Sequence, residues 1–190
     1  MRTRHATVAG ALALASMLLA AFAPPTAAQA PERRIAYRLP GMDAVARRES
    51  IPYRSLAGSP DTLAYGRALE YDVYLPRAPQ GTRTPGVVFV HGGIVAGSRG
   101  ERPKDWPAYQ EWGRLAAAAG LVAVTFTHRL TTDDNVDVAA EDVEALLRQL
   151  RARAGEYGLD PDRLCVAVFS AGGPLASAFL RDPRPYVRCL

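Results

Sequence analysis

The chain has 190 residues, 48% of them hydrophobic and 22% charged, with a formal net charge of +4, the balance of a globular domain and not of a disordered segment. Its cations are arginines apart from Lys104 and are scattered along the chain. Without a basic stripe, composition points to no nucleic-acid role, and the length allows one domain at most.

The first thirty residues read as a secretory signal peptide. Arg2, Arg4 and His5 precede an uncharged stretch from Val8 to Ala23, Pro24 and Pro25 break it, and Ala28-Gln29-Ala30 offers a small-residue cleavage site, the order such a segment requires. The stretch is short for a membrane span, although an uncleaved anchor is the alternative. Cleavage removes Arg2 and Arg4 and no acid, so a nearly neutral periplasmic or secreted product without membrane attachment is expected. Cysteine occurs only at positions 165 and 189, both in apolar, strand-like runs. Two small buried residues is the plain reading; an oxidising compartment also permits a disulfide between them.

Residues 31–66 read as an N-terminal extension with the first strands, and scattered Pro, Gly and Arg make them the least legible part. Leu69, Tyr71, Val73 and Leu75 then alternate with Glu70, Asp72 and Tyr74, which predicts a strand with one buried face, ended by Pro76. Val87 to Val90, Leu121 to Phe126 and Leu164 to Phe169 are apolar without alternation, as central parallel strands covered on both faces are. Between them, Asp105 is placed to cap a helix with Pro107 in its first turn, turning Tyr109, Trp112, Leu115, Ala116 and Ala119 inward and stopping at Gly120. A second helix is expected from Val136 to about Ala154, with Val143, Leu146, Leu147 and Leu150 on one face, acids early and arginines late. A third follows Ser170, and Tyr186 to Leu190 reads as the start of another core strand. The order predicts an α/β chain: a mostly parallel sheet with flanking helices and right-handed crossovers.

In such sheets functional groups gather at the carboxyl ends of the strands. One strand runs into His91-Gly92-Gly93 and another into Ser170-Ala171-Gly172-Gly173-Pro174. A serine on a tight strand-to-helix turn is strained and exposed, with small neighbours where the backbone doubles back, and the helix N-terminus behind it favours negative charge. Ser170 is therefore the candidate nucleophile. A loop without Cβ atoms brings main-chain donors close, so the N–H of Ala171 with that of Gly92 or Gly93 is the candidate oxyanion hole. His91, Gly172 and Gly173 are expected to shape the loop and turn, and His128 to be structural and not a base. Asp133, Asp134 and Asp137 read as a solvated, helix-capping turn and not as a metal cluster; no metal and no cofactor is expected.

Together these segments resemble the N-terminal part of an α/β-hydrolase of the esterase/lipase type with an HGG-type oxyanion loop, close to the dienelactone-hydrolase-like and acetyl-esterase-like branches. The likeness runs from about Arg67 to Leu190. It is carried by His91-Gly92-Gly93, by His128-Arg129-Leu130 where related esterases often have Tyr-Arg-Leu, by Glu141-Asp142-Val143, by Leu159-Asp160-Pro161-Asp162-Arg163 and by Ser170-Ala171-Gly172-Gly173. The resemblance implies a secreted serine hydrolase acting on small-molecule carboxylic esters through an acyl-enzyme at Ser170. Two departures stand out. Val168 occupies the first glycine position of the G-x-S-x-G elbow, where a β-branched side chain crowds the turn. In the family the order is nucleophile, acid, histidine, yet His5, His91 and His128 all precede Ser170, and Asp182, the only later acid, is too close to it. The expectation is thus an incomplete hydrolase core over residues 67–190, truncated before the catalytic acid and histidine and weakly active alone. A non-catalytic ligand-binding module on the same scaffold, or a peptidase or acyltransferase of the same fold, are the alternatives.

Overall fold

The unalternating apolar runs form the middle of a sheet. A computed structural model describes residues 37–78, 81–92, 102–129 and 135–190; the signal-peptide segment, Gly93, Asp133 and Asp134 lie outside the described residues. Among those described, six strands run β1 (Ala46–Ser55), β2 (Ala68–Leu75), β3 (Thr84–Val90), β4 (Val122–Phe126), β5 (Leu159–Val168) and β6 (Val187–Cys189), joined in the order β1-β2-β4-β3-β5-β6. β4, β3, β5 and β6 are mutually parallel, while β1 and β2 pair antiparallel on one flank. The helices are α1 (Thr62–Tyr65), α2 (Pro107–Ala118), α3 (Val136–Ala152), α4 (Ala154–Tyr157) and α5 (Gly173–Arg181). This is the expected mostly parallel α/β sheet, with a strand at Tyr186–Leu190 as read and a further one, β1, in the segment that sequence left least legible.

The two faces of the sheet carry separate cores. On one, Tyr71, Val88, Val90, Val124 and Phe126 pack with Val143, Leu146, Leu147 and Leu150 of α3 and with Leu175 and Phe179 of α5. The i, i+3, i+4, i+7 face of α3 is buried as its pattern predicts, each such side chain contributing ~1.5–3 kcal/mol of transfer free energy. On the other face, Tyr74, Val87 and Ala123 meet Ala117 of α2.

Three expectations need correction. β2 is covered on both faces: Asp72 and Tyr74 are as inaccessible as Tyr71 and Val73, because α2 crosses Tyr74 at Gly113, where a Cβ would lie 2.4 Å from the tyrosine ring. Asp105 does not cap α2. Trp106 holds the N-cap position, and the Asp105 carboxylate turns instead to Lys104 Nζ at 2.7 Å and to Arg102 at 2.9 Å. The buried positions of α2 are consequently Tyr109, Glu111, Gly113 and Ala117, whereas Ala119 is exposed. Finally, Cys165 and Cys189 are not two buried thiols; they form a disulfide across the paired strands β5 and β6, with Cys189 exposed.

A charged cluster absent from the sequence reading lies under the β1–β2 flank. Lys104 is 1% exposed and Asp72 0%. Lys104 Nζ sits 3.2 Å from Asp72 Oδ1, Arg47 reaches Oδ2 at 2.7 Å, and the Ser50 N–H donates to Oδ1 at 2.7 Å. That last bond receives the backbone of Ser50, which has φ 52 at an irregularity in the β1–β2 register.

Candidate active site

The register aligns the carboxyl ends of three strands. Phe89 on β3 is level with Thr125 on β4 and with Ala167 on β5, so His91-Gly92, Thr127-His128-Arg129 and Phe169-Ser170 emerge side by side. Ser170 is exposed and has φ 50, one of two positive-φ residues other than glycine among those described. A left-handed conformation costs a non-glycine residue ~1–3 kcal/mol and persists only where its surroundings impose it. Here the Phe169 N–H is held by the Val90 carbonyl at 3.1 Å, and the Gly172 N–H returns to the Phe169 carbonyl at 2.9 Å. A short 3-10 turn over Ser170–Gly172 then opens into α5, with Pro174 in its first turn.

Two glycines make this turn possible by their lack of a side chain. A Cβ on Gly172 would stand 2.8 Å from the His91 carbonyl oxygen and 3.1 Å from Val168 Cγ1. The crowding expected of Val168 is therefore real, and Gly172 is the space that absorbs it. A Cβ on Gly92 would lie 2.9 Å from Ser170 Cβ and 3.3 Å from the Ala171 nitrogen, so the loop after β3 touches the Ser170 turn beside a candidate oxyanion donor. Gly173 is different: a Cβ there meets nothing within 4 Å, and its expected shaping role has no spatial basis. Burial pushes the Tyr109 phenol up to about 12, and a main-chain hydrogen bond with Gly92 opposes that shift. As an oxyanion donor, Gly92 competes with this contact.

The two histidines of the site form one unit. Their rings stack with centroids 3.5 Å apart and 1° between planes, at 1% and 0% exposure. The His128 N–H donates to His91 Nε2 at 3.2 Å, so the His91 proton resides on Nδ1, which donates to the Gly92 carbonyl at 2.7 Å. His128 Nε2 lies 3.0 Å from the His91 carbonyl and must carry a hydrogen to bond it. Burial holds His91 down to about 4, and burial with the neighbouring His91 holds His128 well below the usual histidine range. Both rings are committed to main-chain partners in the loops after β3 and β4.

The structure also brings together two motifs that sequence only set in order. Arg129 grips Asp142 of α3 with Nε at 2.9 Å and Nη2 at 2.8 Å, and its Nη1 reaches Asp61 at 2.9 Å. The fork-shaped pairing, strongest for guanidinium on carboxylate, raises Arg129 above its ordinary value and fixes the chain where it leaves β4. Asp182 is exposed at the end of α5 and pairs with Arg184 at 2.6 Å, away from any acid position behind a histidine.

With this geometry in hand, known proteins give it a lineage. The BD-FAE family matches residues 71–180, from β2 to the end of α5 and more than half of the chain. Human (Homo sapiens) arylacetamide deacetylase-like 2 is 33% identical over 109 residues, 56% of this chain and 26% of that protein. Arylacetamide deacetylase of Oryctolagus cuniculus is 34% identical over 118 residues, 58% of this chain and 29% of its own length. Among solved structures, the thermophilic carboxylesterase EstE1 from a metagenomic library superposes with a TM-score of 0.54 at 27% identity, over 75% of this chain and 44% of that one. The chain thus spans less than a third of the deacetylases and less than half of the carboxylesterase. Sheet order, strained elbow serine, glycine loop and family match agree, and the chain belongs to the BD-FAE family of esterase-like α/β-hydrolases.

Proposed function

We propose that the protein is a secreted serine hydrolase that cleaves small carboxylic esters through an acyl-enzyme at Ser170, its catalytic acid and base coming from polypeptide outside these 190 residues. The observation that carries the reading is Ser170 itself, exposed at φ 50 on the carboxyl end of β5 with the N-terminus of α5 behind it. In this scheme Ser170 Oγ attacks the ester carbonyl as its proton passes to the base, and the carbonyl oxygen gathers negative charge facing the Ala171 N–H. The alcohol then leaves with that proton, and water releases the acid. Relatives named as a carboxylesterase and as deacetylases support acyl-group chemistry. The order of residues 1–30 and the Cys165–Cys189 bridge support an oxidising, extracytoplasmic compartment.

Because His91 and His128 are spent on the scaffold, Ser170 has no base among the described residues. Loss of triad members typically leaves ~10³–10⁴-fold acceleration over water, from the oxyanion hole and binding alone. The test supplies the base from solution: p-nitrophenyl acetate is added to the chain with increasing imidazole, and acetylated peptides are mapped by mass spectrometry. Acetylation of Ser170 that grows with imidazole and vanishes in Ser170→Ala is expected. A folded chain that never acquires acetyl at Ser170 overturns the reading and favours a ligand-binding module. Faster transfer to an amine or from a peptide than to water would instead indicate the acyltransferase or peptidase variant of the same fold.

A further inference from the structure

His128 stands where related esterases often carry tyrosine, and nothing in the proposed chemistry uses it. Its surroundings give it a task. The described candidate donor of the glycine loop, the Gly92 N–H, belongs to the peptide unit 91–92, and the main-chain carbonyls of His91 and Gly92 are each taken by one of the stacked imidazoles. The His91 carbonyl accepts from His128 Nε2 at 3.0 Å, and the Gly92 carbonyl accepts from His91 Nδ1 at 2.7 Å. A planar trans peptide sets its N–H opposite its carbonyl, and the described peptides are all trans. Fixing the His91 carbonyl therefore fixes the direction of the Gly92 N–H. The same His91 carbonyl is the atom that Gly172 makes room for, so the bond from His128 also seats the loop against the nucleophile turn.

We propose that His128 is a positioning residue that acts through His91: its Nε2–H holds the 91–92 peptide, and with its own main-chain N–H it locks His91 in the one tautomer that donates to the Gly92 carbonyl. The inference rests on the reading of this loop as the oxyanion loop of an acyl-transfer site. It also makes the loop acid-sensitive. A proton added to His91 Nε2 would face the His128 N–H, donor against donor, and a charged His128 would stack on a ring 3.5 Å away. Among the described residues, the titratable and charged groups packed near the pair include Tyr109 of α2, whose ring meets His91 edge-on at 6.4 Å, Tyr53 of β1, bonded to the Thr127 carbonyl at 2.7 Å, and the Arg129–Asp142 pair next along the chain.

The test reads the tautomers directly. Nitrogen-15 NMR of the histidine-labelled chain should show His91 protonated at Nδ1 and His128 at Nε2, with neither becoming imidazolium above about pH 5, below the ordinary histidine range. In His128→Phe, which keeps a flat ring and loses the donor, the Gly92 and Ala171 amides should shift. Their hydrogen exchange should rise about tenfold, as the loss of one buried hydrogen bond implies, while amides of β3 and β4 stay unchanged. His128→Gln, which retains a side-chain N–H donor, should restore part of the protection. An Nδ1–H or charged His128 at neutral pH, or Gly92 protection unaltered in His128→Phe, overturns the inference. If His128→Phe fails to fold, the tautomers of the unaltered chain and the protection in His128→Gln decide. A chain with these signatures whose Ser170 never accepts acetyl keeps this inference and loses the hydrolase reading.

Discussion

Gly172 and Gly173 are neighbours of like chemistry, and the structure predicts opposite responses to the same substitution. Both have ordinary negative φ, −70° and −50°, so alanine fits either backbone and only the surroundings differ. At Gly172 the new methyl meets the His91 carbonyl oxygen at 2.8 Å and Val168 Cγ1 at 3.1 Å. The carbonyl cannot retreat without breaking its bond to His128, and overpacking of this kind typically costs ~1–3 kcal/mol. At Gly173, in the first turn of α5 with open space around its Cβ, alanine only reduces the freedom of the unfolded chain and should stabilise by ~0.4–1 kcal/mol. Urea unfolding followed by tryptophan fluorescence measures both. Trp112 reports from beside the elbow, stacked on Phe169 at 4.4 Å. Val168→Ala added to Gly172→Ala should recover less than half of the loss, because it removes the 3.1 Å contact and leaves the 2.8 Å one. Equal effects at the two glycines, or full recovery by Val168→Ala, would refute the claim that the His91 carbonyl is the wall of the elbow.

The disulfide closes a loop with a sequence separation of 24, for which chain entropy gives ~3–3.5 kcal/mol; Cys165→Ala with Cys189→Ala should lower stability by about that much in urea, with no further loss on adding reductant. Lys104→Met should cost ~3 kcal/mol, the lower end for breaking a buried pair, since Asp72 keeps Arg47 and the Ser50 N–H; Lys104→Met with Asp72→Leu should recover part of it. Acid should destabilise the fold through its histidines. Burial holds His91 down to about 4, below the ordinary histidine value of 6.5, so this contribution is complete above pH 6.5 and is lost as pH falls from there toward 4. Urea midpoints measured across that interval should fall more steeply in the unaltered chain than in His91→Asn.

The sheet was legible because its signal is redundant. Runs such as Val87–Val90 and Leu121–Phe126 are too apolar for anything but a doubly covered strand, and glycines follow two of them where the backbone must turn. β1 was expected within residues 31–66 but could not be delimited there, because it lies at the flank, carries three arginines among Ala46–Ser55 and breaks its pairing near Ser50. Asp72 looked like the polar half of an alternating strand; its burial rests on Lys104, thirty-two residues later, and Arg47, twenty-five residues earlier, and no local pattern announces such partners. The same holds for the histidines. A His after each of two parallel strands is visible in the sequence, but their stacking follows from β3 and β4 being neighbours in the sheet, a fact of topology.

Two buried carboxylates stand where the chain enters and leaves the site, Asp72 beside Lys104 upstream of α2 and Asp142 beside Arg129 at the end of β4. Ion pairs of this sort return little net stability, because desolvation offsets most of the attraction. What they do supply is direction: a misplaced partner leaves a bare buried charge, so alternative loop positions are penalised far more than the native one is favoured. Hydrophobic contacts alone would tolerate a slide of about an ångström at the carboxyl ends of the strands, enough to cost 10²-fold in an acyl transfer. The arrangement therefore explains why charge is buried beside the strand ends, where apolar side chains would have been the stabler filling. The elbow serine and its glycine loop come from different strands, and fixed, direction-dependent contacts are what hold the two ends in register.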